Sequence, residues 1–236
     1  MRSALPVVTI VFCLLAGDLA RASEPITIVY ARGRNKVAIQ LWKQSEDEID
    51  NGNVSAALQH ADAALRSDPT LYPALYTRAK CYVRQHKLEA ALQDCSSALK
   101  QDPTFVEAGL LRASINSRLG NYAAALKEFD HIVSIRPRLD GLARAMSDRA
   151  YFHLTCPDTK YRDTKQALKD ATTACKMMQW RDDDMIDTLA LACAENGDWD
   201  GAVKYETQAL STAGIKPDVA QFYQRRLEGY KAKKII

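Results

Sequence analysis

Residues 54–69 (VSAALQHADAALRSDP), 88–103 (LEAALQDCSSALKQDP) and 122–137 (YAAALKEFDHIVSIRP) repeat one pattern, and each ends on a proline. Pro69, Pro103 and Pro137 lie 34 residues apart, and Gly52, His86 and Gly120 precede the copies at the same interval. A fixed period of about 34 residues marks a repeat array, in which every repeat is one supersecondary unit. That constraint comes before any local motif.

Within each copy, small and apolar residues fall three and four apart: Leu88, Ala91, Leu92, Cys95, Ala98 and Leu99 in the second. This spacing places them on one helix stripe. Most are alanine, so a neighbouring helix can approach closely. Asp102-Pro103 ends the helix, because proline disfavours helical geometry in the residue before it. Upstream, Leu75, Ala79, Tyr82 and Val83 define a second helix, joined through Gln85-His86-Lys87. Each unit is a helical hairpin that buries its apolar face by stacking on the next.

These residues resemble the tetratricopeptide repeat. The match lies in Ala79 and Ala113 midway along first helices and in the turns Gly52-Asn53-Val54 and Gly120-Asn121-Tyr122. It continues in the triplets Ala57/Ala61/Ala64, Ala91/Cys95/Ala98 and Ala125/Phe129/Ile132. The resemblance implies an all-α, right-handed superhelical array of antiparallel hairpins. Five units are expected, at about 36–69, 70–103, 104–137, 138–180 and 181–215. The first is the poorest match, with Gln44 and Ser45 where an apolar and a small residue are usual, as at the edge of an array. The fourth carries an insertion: Ile132 to Ala174 is 42 residues, and Pro157 ends its first helix before a loop at 158–162. In the fifth, Asp182–Asp184 supply a helix start, followed by Leu189-Ala190, Gly197-Asp198-Trp199, and Ala202, Glu206 and Ala209. Residues 216–236 form a capping helix and tail, with Val219, Tyr223, Leu227 and Tyr230 on one face.

The opening carries a different signal. Met1-Arg2, an apolar run over 4–17 and Ala20-Arg21-Ala22 make a secretory leader, with cleavage after Ala22. The run is short for a membrane span, which needs roughly 20 apolar residues; an uncleaved anchor is the alternative. Residues 23–35 read as a linker. The mature chain keeps 30 basic and 28 acidic groups, too balanced for a nucleic-acid footprint. Export permits disulfides. The five remaining cysteines (Cys81, Cys95, Cys156, Cys175, Cys193) are odd in number and mostly lie on helix stripes, so buried thiols are the favoured reading over bridges.

A second resemblance covers the insert. Leu154-Thr155-Cys156-Pro157-Asp158, Tyr161-Arg162-Asp163, Ala174-Cys175, Trp180 and Asp187-Thr188-Leu189-Ala190 are similar to the closing unit of many bacterial tetratricopeptide proteins, some of them exported. Arg226-Leu227-Glu228-Gly229-Tyr230-Lys231 matches the way such chains end; Lys233-Lys234-Ile235-Ile236 does not. This implies a bacterial envelope setting and no particular activity.

In this family the first helices line the concave side. Residues facing that side are expected to be Trp42, Lys43 and Glu46; Tyr76, Lys80 and Arg84; Leu110, Ser114 and Arg118; Arg144, Asp148 and Tyr151; and Asp187 and Glu195. The middle is basic and the last unit acidic. An extended peptide with an acidic part fits such a groove, held by Trp and Tyr contact area and Arg–carboxylate pairs. The family's clamp for chaperone-tail carboxylates is not reproduced: Trp42, Glu46, Thr77, Glu107 and Leu111 stand at its positions.

No phosphate loop, GxSxG, HExxH or dinucleotide glycine pattern occurs, and neither a cofactor nor a metal is implied. His153 and Cys156 offer two ligands where tetrahedral zinc takes three or four from protein. The leading expectation is a non-catalytic scaffold for a protein or acidic peptide, exported to the periplasm or beyond. Two other classes stay open. One is a ligand or catalytic site at the insert, Cys156–Asp163, with Asp158, Tyr161, Arg162, Asp163 and Asp187 as its polar groups. The other is self-association through the end helix. Expression of the full chain with N-terminal sequencing of the exported product should give Ser23 as the first residue; a product that retains Met1 contradicts cleavage.

Overall fold

Local chemistry fixes where each helix begins and ends. The computed structural model describes residues 35–212 and 214–235; the expected leader and the linker up to Arg34 lie outside the described residues, as do Ala213 and Ile236. Among the described residues there are eleven α-helices and no strand. The first hairpin is α1 (Lys36–Asp50) and α2 (Val54–Ser67); α3 (Tyr72–Arg84) and α4 (Leu88–Gln101) occupy the second repeat; the third hairpin is α5 (Val106–Arg118) and α6 (Tyr122–Ile135). The fourth is α7 (Leu139–Thr155) and α8 (Thr164–Met177), the fifth α9 (Asp183–Glu195) and α10 (Trp199–Leu210). The closing helix α11 is Pro217–Lys231.

Side-chain oxygens satisfy free N–H groups at several starts: Asn35 caps α1, Asp163 caps α8, Asp182 caps α9 and Asp198 caps α10. At the unit ends the period appears in atomic detail. Asp68 Oδ1 accepts from the backbone N–H of Thr70 (3.0 Å) and its hydroxyl (2.7 Å). Asp102, 34 residues on, does the same for Thr104 at 2.9 and 2.7 Å. In the third copy Arg136 stands before the proline in a left-handed conformation, φ 47°. The hairpin turns also use the left-handed region: Gly52, Gly120 and Gly197 have φ near 80°, and His86 fills the equivalent place at φ 59°.

The described residues divide into two compact units, one ending at Cys81 and the other beginning at Tyr82. In the first, α1 packs on α2, and Ile49, Ala57 and Cys81 make a buried cluster flanked by Val54 and Leu58. In the second, each helix packs on the next from α4 to α11. Here α7 also packs against both α5 and α9, so the first helices of successive hairpins stand side by side. A cluster of Leu110, Ala113, Phe129, Ile132, Ala145 and Phe152 joins α5, α6 and α7. A larger one runs from α7 to α11 and includes all ten residues from Met185 to Ala194 except the polar Asp187 and Thr188.

The seam residues of the second helices have no exposed surface at Ala57, Ala61, Ala64, Ala91, Cys95, Ala98, Ala167, Ala171 and Ala174. Leu88, Leu92 and Leu99, on the edge of the stripe, are only half-buried. The fourth-unit insertion has two parts. Helix α7 is 17 residues long where α5 has 13, and a 3₁₀ turn at Thr159–Tyr161 separates it from α8.

Two stability outcomes follow from this packing. Ala98→Leu has no room and should cost about 1–3 kcal/mol by overpacking, read as a lower urea midpoint; an unchanged midpoint contradicts the seam. His86→Gly should raise stability by up to about 1 kcal/mol, since glycine adopts the left-handed turn without the Cβ clash; a loss contradicts the assignment of strain there.

Candidate interaction surface

Helices α5, α7 and α9 form a wall, and the sequence places the expected groove residues of this unit on it. Ser114 and Arg118 are exposed on α5, and Arg144 and Tyr151 on α7. Tyr151 keeps half of its surface in water. Asp148 is half-buried between them. Burial pushes its carboxyl up to about 6; neighbouring Arg144 pulls it down, and Asp184 and Asp182 push it up. Arg84 is exposed at the end of α3.

Two groove assignments are corrected. Leu110 is buried, in the cluster with Phe129 and Ile132. Asp187 is also buried: its Oδ2 accepts from Arg226 Nη1 at 2.9 Å, which ties α9 to α11. The four-residue spacing placed both on the open side; a helix packed on two faces leaves only a narrow strip exposed. Glu195 is half-buried.

In the first unit, Lys43 is exposed on α1, while Trp42 and Tyr76 are half-buried. Trp42 Nε1–H donates to Thr77 Oγ1 at 3.2 Å, and the Thr77 hydroxyl bonds Glu46 and the Pro73 carbonyl. Lys80 Nζ lies 3.1 Å from Glu46 Oε1 and 5.1 Å from the Tyr76 ring centroid. Lys80 is therefore held by its own chain through an ion pair and a cation–π contact.

The polar groups of the insert are occupied structurally. Asp158 accepts from the Lys160 backbone N–H and pairs with its ammonium at 3.1 Å. Arg162 Nε–H donates to the Cys156 carbonyl (2.8 Å), and Asp163 caps α8. His153 is buried, with Nδ1 2.8 Å from the Tyr161 carbonyl, so that nitrogen carries the proton. Tyr161 packs near Tyr122 and Phe152. A shallow depression of about 430 Å³ lies between this turn and the start of α6, lined by Tyr122, Ala123, Asp158, Lys160 and Tyr161 among others. Asp187 is not part of it.

All five described cysteines are buried free thiols. Burial pushes Cys95 and Cys175 up to about 12 and Cys193 to about 11, so each stays protonated and unreactive at neutral pH. Among the described residues no group of three His, Cys, Asp or Glu side chains is placed to hold a metal. No helix among them is long and apolar enough to cross a membrane.

One recurrent device is not evident from helical spacing alone. Arg78, Arg112 and Arg149 each precede a fully buried alanine of a first helix (Ala79, Ala113, Ala150). Arg78 pairs with Asp62 at 2.9 Å, and Arg112 grips both oxygens of Glu128 at 2.9 and 2.7 Å. Arg149 spans Asp170 (2.8 and 3.1 Å) and Asp130 (2.7 Å), linking α7 to α8 and α6. The recurring Arg-Ala dipeptide was the available signal.

Stacked antiparallel hairpins with adjoining first helices define an α-solenoid. Residues 43–105 and 76–139 match the tetratricopeptide repeat family model. Solved structures of such proteins share the fold. A thermophilic tetratricopeptide protein of Thermus thermophilus aligns with TM-score 0.67 and 18% identity, over 80% of this chain and 97% of its own. A tetratricopeptide protein from Parabacteroides merdae gives 0.57 and 19%, over 84% and 75%. YrrB, described as having an unusual peptide-binding site, gives 0.50 and 15%, over 80% and 92%. At these identities the likeness is one of fold. No curated protein matches the chain.

Proposed function

We propose that this protein is a non-catalytic interaction scaffold of the cell envelope that holds a peptide or protein segment against the wall of first helices. The observation that carries the reading is the continuity of α5, α7 and α9, which present Ser114, Arg118, Arg144 and the half-exposed ring of Tyr151 side by side. Exposed arginines on adjoining helices suit the carboxylates of an acidic segment, and an exposed tyrosine supplies rigid apolar contact area. Half-buried Asp148 sets the acidic end of the same strip. In the first unit, taken by itself, Lys43, Trp42 and Tyr76 offer a smaller polar and aromatic surface, since Lys80 is already paired.

The peptide-binding site named for YrrB supports a peptide as the kind of partner this fold accommodates. The envelope setting rests on the leader at residues 1–22 and on the closing-unit resemblance. A ligand or catalytic site at the insert has less support, because Asp158, Arg162, Asp163 and His153 are all engaged in holding the turn.

Site-specific photo-crosslinking in cells tests the reading. A crosslinker at position 114 or 151 should capture a discrete partner, one at 127 or 131 on α6 should not, and Arg118→Glu with Arg144→Glu should reduce capture at least tenfold. Equal capture from both faces, or capture indifferent to the charge reversals, contradicts it.

A further inference from the structure

The five second helices carry the same seam triplet, at 57/61/64, 91/95/98, 125/129/132, 167/171/174 and 202/206/209. The central residue is Ala61, Cys95, Phe129 and Ala171 in the first four, and Glu206 in the fifth. Glu206 has no exposed surface. A carboxyl at a position where the other copies hold an apolar side chain breaks the local packing rule, and such breaks mark a function or a compensating interaction.

The compensation lies in a closed cluster between α9, α10 and α11. Asp187 Oδ2 accepts from Arg226 Nη1 at 2.9 Å. Arg226 Nε–H and Nη2–H both donate to the Tyr230 hydroxyl, and the guanidinium lies 5.5 Å from the ring centroids of Phe222 and Tyr230. Asp187, Arg226 and Tyr230 are all buried. Three buried oxygens remain without a donor: Asp187 Oδ1 and both oxygens of Glu206. The two carboxyls lie on the packed helices α9 and α10, and each acts on the other's ionisation. Two carboxylates cannot bond; a carboxylic acid and a carboxylate can. One proton joins Asp187 Oδ1 to one Glu206 oxygen, and one arginine then balances one negative charge.

We propose that Glu206 is a neutral acid at physiological pH, donating its proton to Asp187 Oδ1, and that this shared proton latches the closing helix α11 onto α9 and α10, so that loss of the proton loosens the end of the array. Burial first and Asp187 second raise the Glu206 carboxyl to about 9, with Arg226 opposing. The other charged or titratable groups facing the cluster are Asp183 and Asp184 on α9 and Tyr223 and Tyr230 on α11. Tyr223 donates to Asp184 Oδ1 at 2.9 Å and lies 3.2 Å from Asp183 Oδ2, a second tie between α11 and α9 that stays intact while the tyrosine is protonated. Burial and the neighbouring aspartates hold that phenol above its ordinary range.

The sign of the effect is fixed. A carboxyl raised in the folded state contributes stability that is complete below its ordinary pKa. That contribution shrinks as pH rises and is lost by about pH 9. Between pH 6 and 8 one extra proton is bound in the latched state, so latching weakens about tenfold per pH unit relative to a chain lacking this group.

The test uses the chain without the expected leader, residues 23–236. The carboxyl ¹³C shift of Glu206, assigned by comparison with Glu206→Gln, should report a protonated acid at pH 7 that ionises near pH 9; an ionised Glu206 at pH 7 overturns the proposal. Amide exchange in α11, corrected for the intrinsic rate, should quicken about tenfold per pH unit between pH 6 and 8 in the wild type and stay flat in Glu206→Gln. Equal pH dependence in both also overturns it. If the variant does not fold, Glu206→Asp supplies the assignment and the wild-type titration decides.

Discussion

Contact between buried side chains, most of them small, repeated at four- and three-residue steps along the second helices, is the constraint on which the rest of this structure depends. Alanine loses no side-chain entropy on burial and lets helices approach closely, but a two-helix hairpin with such a seam cannot bury it alone. The apolar area has to be covered by the next hairpin, and the order of the chain becomes the order of the stack. Interior positions with no exposed surface, such as Ala91, Cys95 and Ala98, tolerate no added volume. Arg112 and Arg149 then tie neighbouring helices from the rim, where a charge keeps partial access to water.

That arrangement separates packing from recognition. Covered faces on two sides leave each first helix a narrow strip. On α5 and α7 the strip carries Ser114, Arg118, Arg144, Asp148 and Tyr151, none of which the seam needs. The insert lengthens α7 and returns the chain through a 3₁₀ turn fastened by His153, Asp158 and Arg162. Its polar residues serve the fold, which leaves the wall as the surface proposed for a partner. At the far end the seam itself becomes polar, with Glu206 and Asp187 facing Arg226 from α11.

The fold was readable because its signal is periodic. Prolines 34 apart, turn glycines and alanine triplets set helix positions, and helices α1 and α11 begin at Lys36 and Pro217, within a residue of the expected starts at 36 and 216. What escaped was chemistry set by tertiary neighbours. Leu110 and Asp187 carry the right spacing for the open strip, but a hydrophobic cluster covers one and Arg226 takes up the other. Lys80 read as part of a basic groove, and only the approach of α1 reveals its pairing with Glu46. The Arg226–Tyr230 end motif and the Asp187 segment are each legible as sequence likenesses, but their bond spans 39 residues and is set only by the folded chain.

The most direct test of serial stacking is urea unfolding followed through single tryptophans. One variant keeps Trp42 in α1, and the other keeps Trp199 at the start of α10. Because each hairpin leans only on its neighbours, the two probes should unfold at different midpoints. Trp42 should report the lower one, since α9, which packs against α10, is the most completely buried helix. Coincident transitions with one midpoint and one slope would show a single cooperative core and contradict the account.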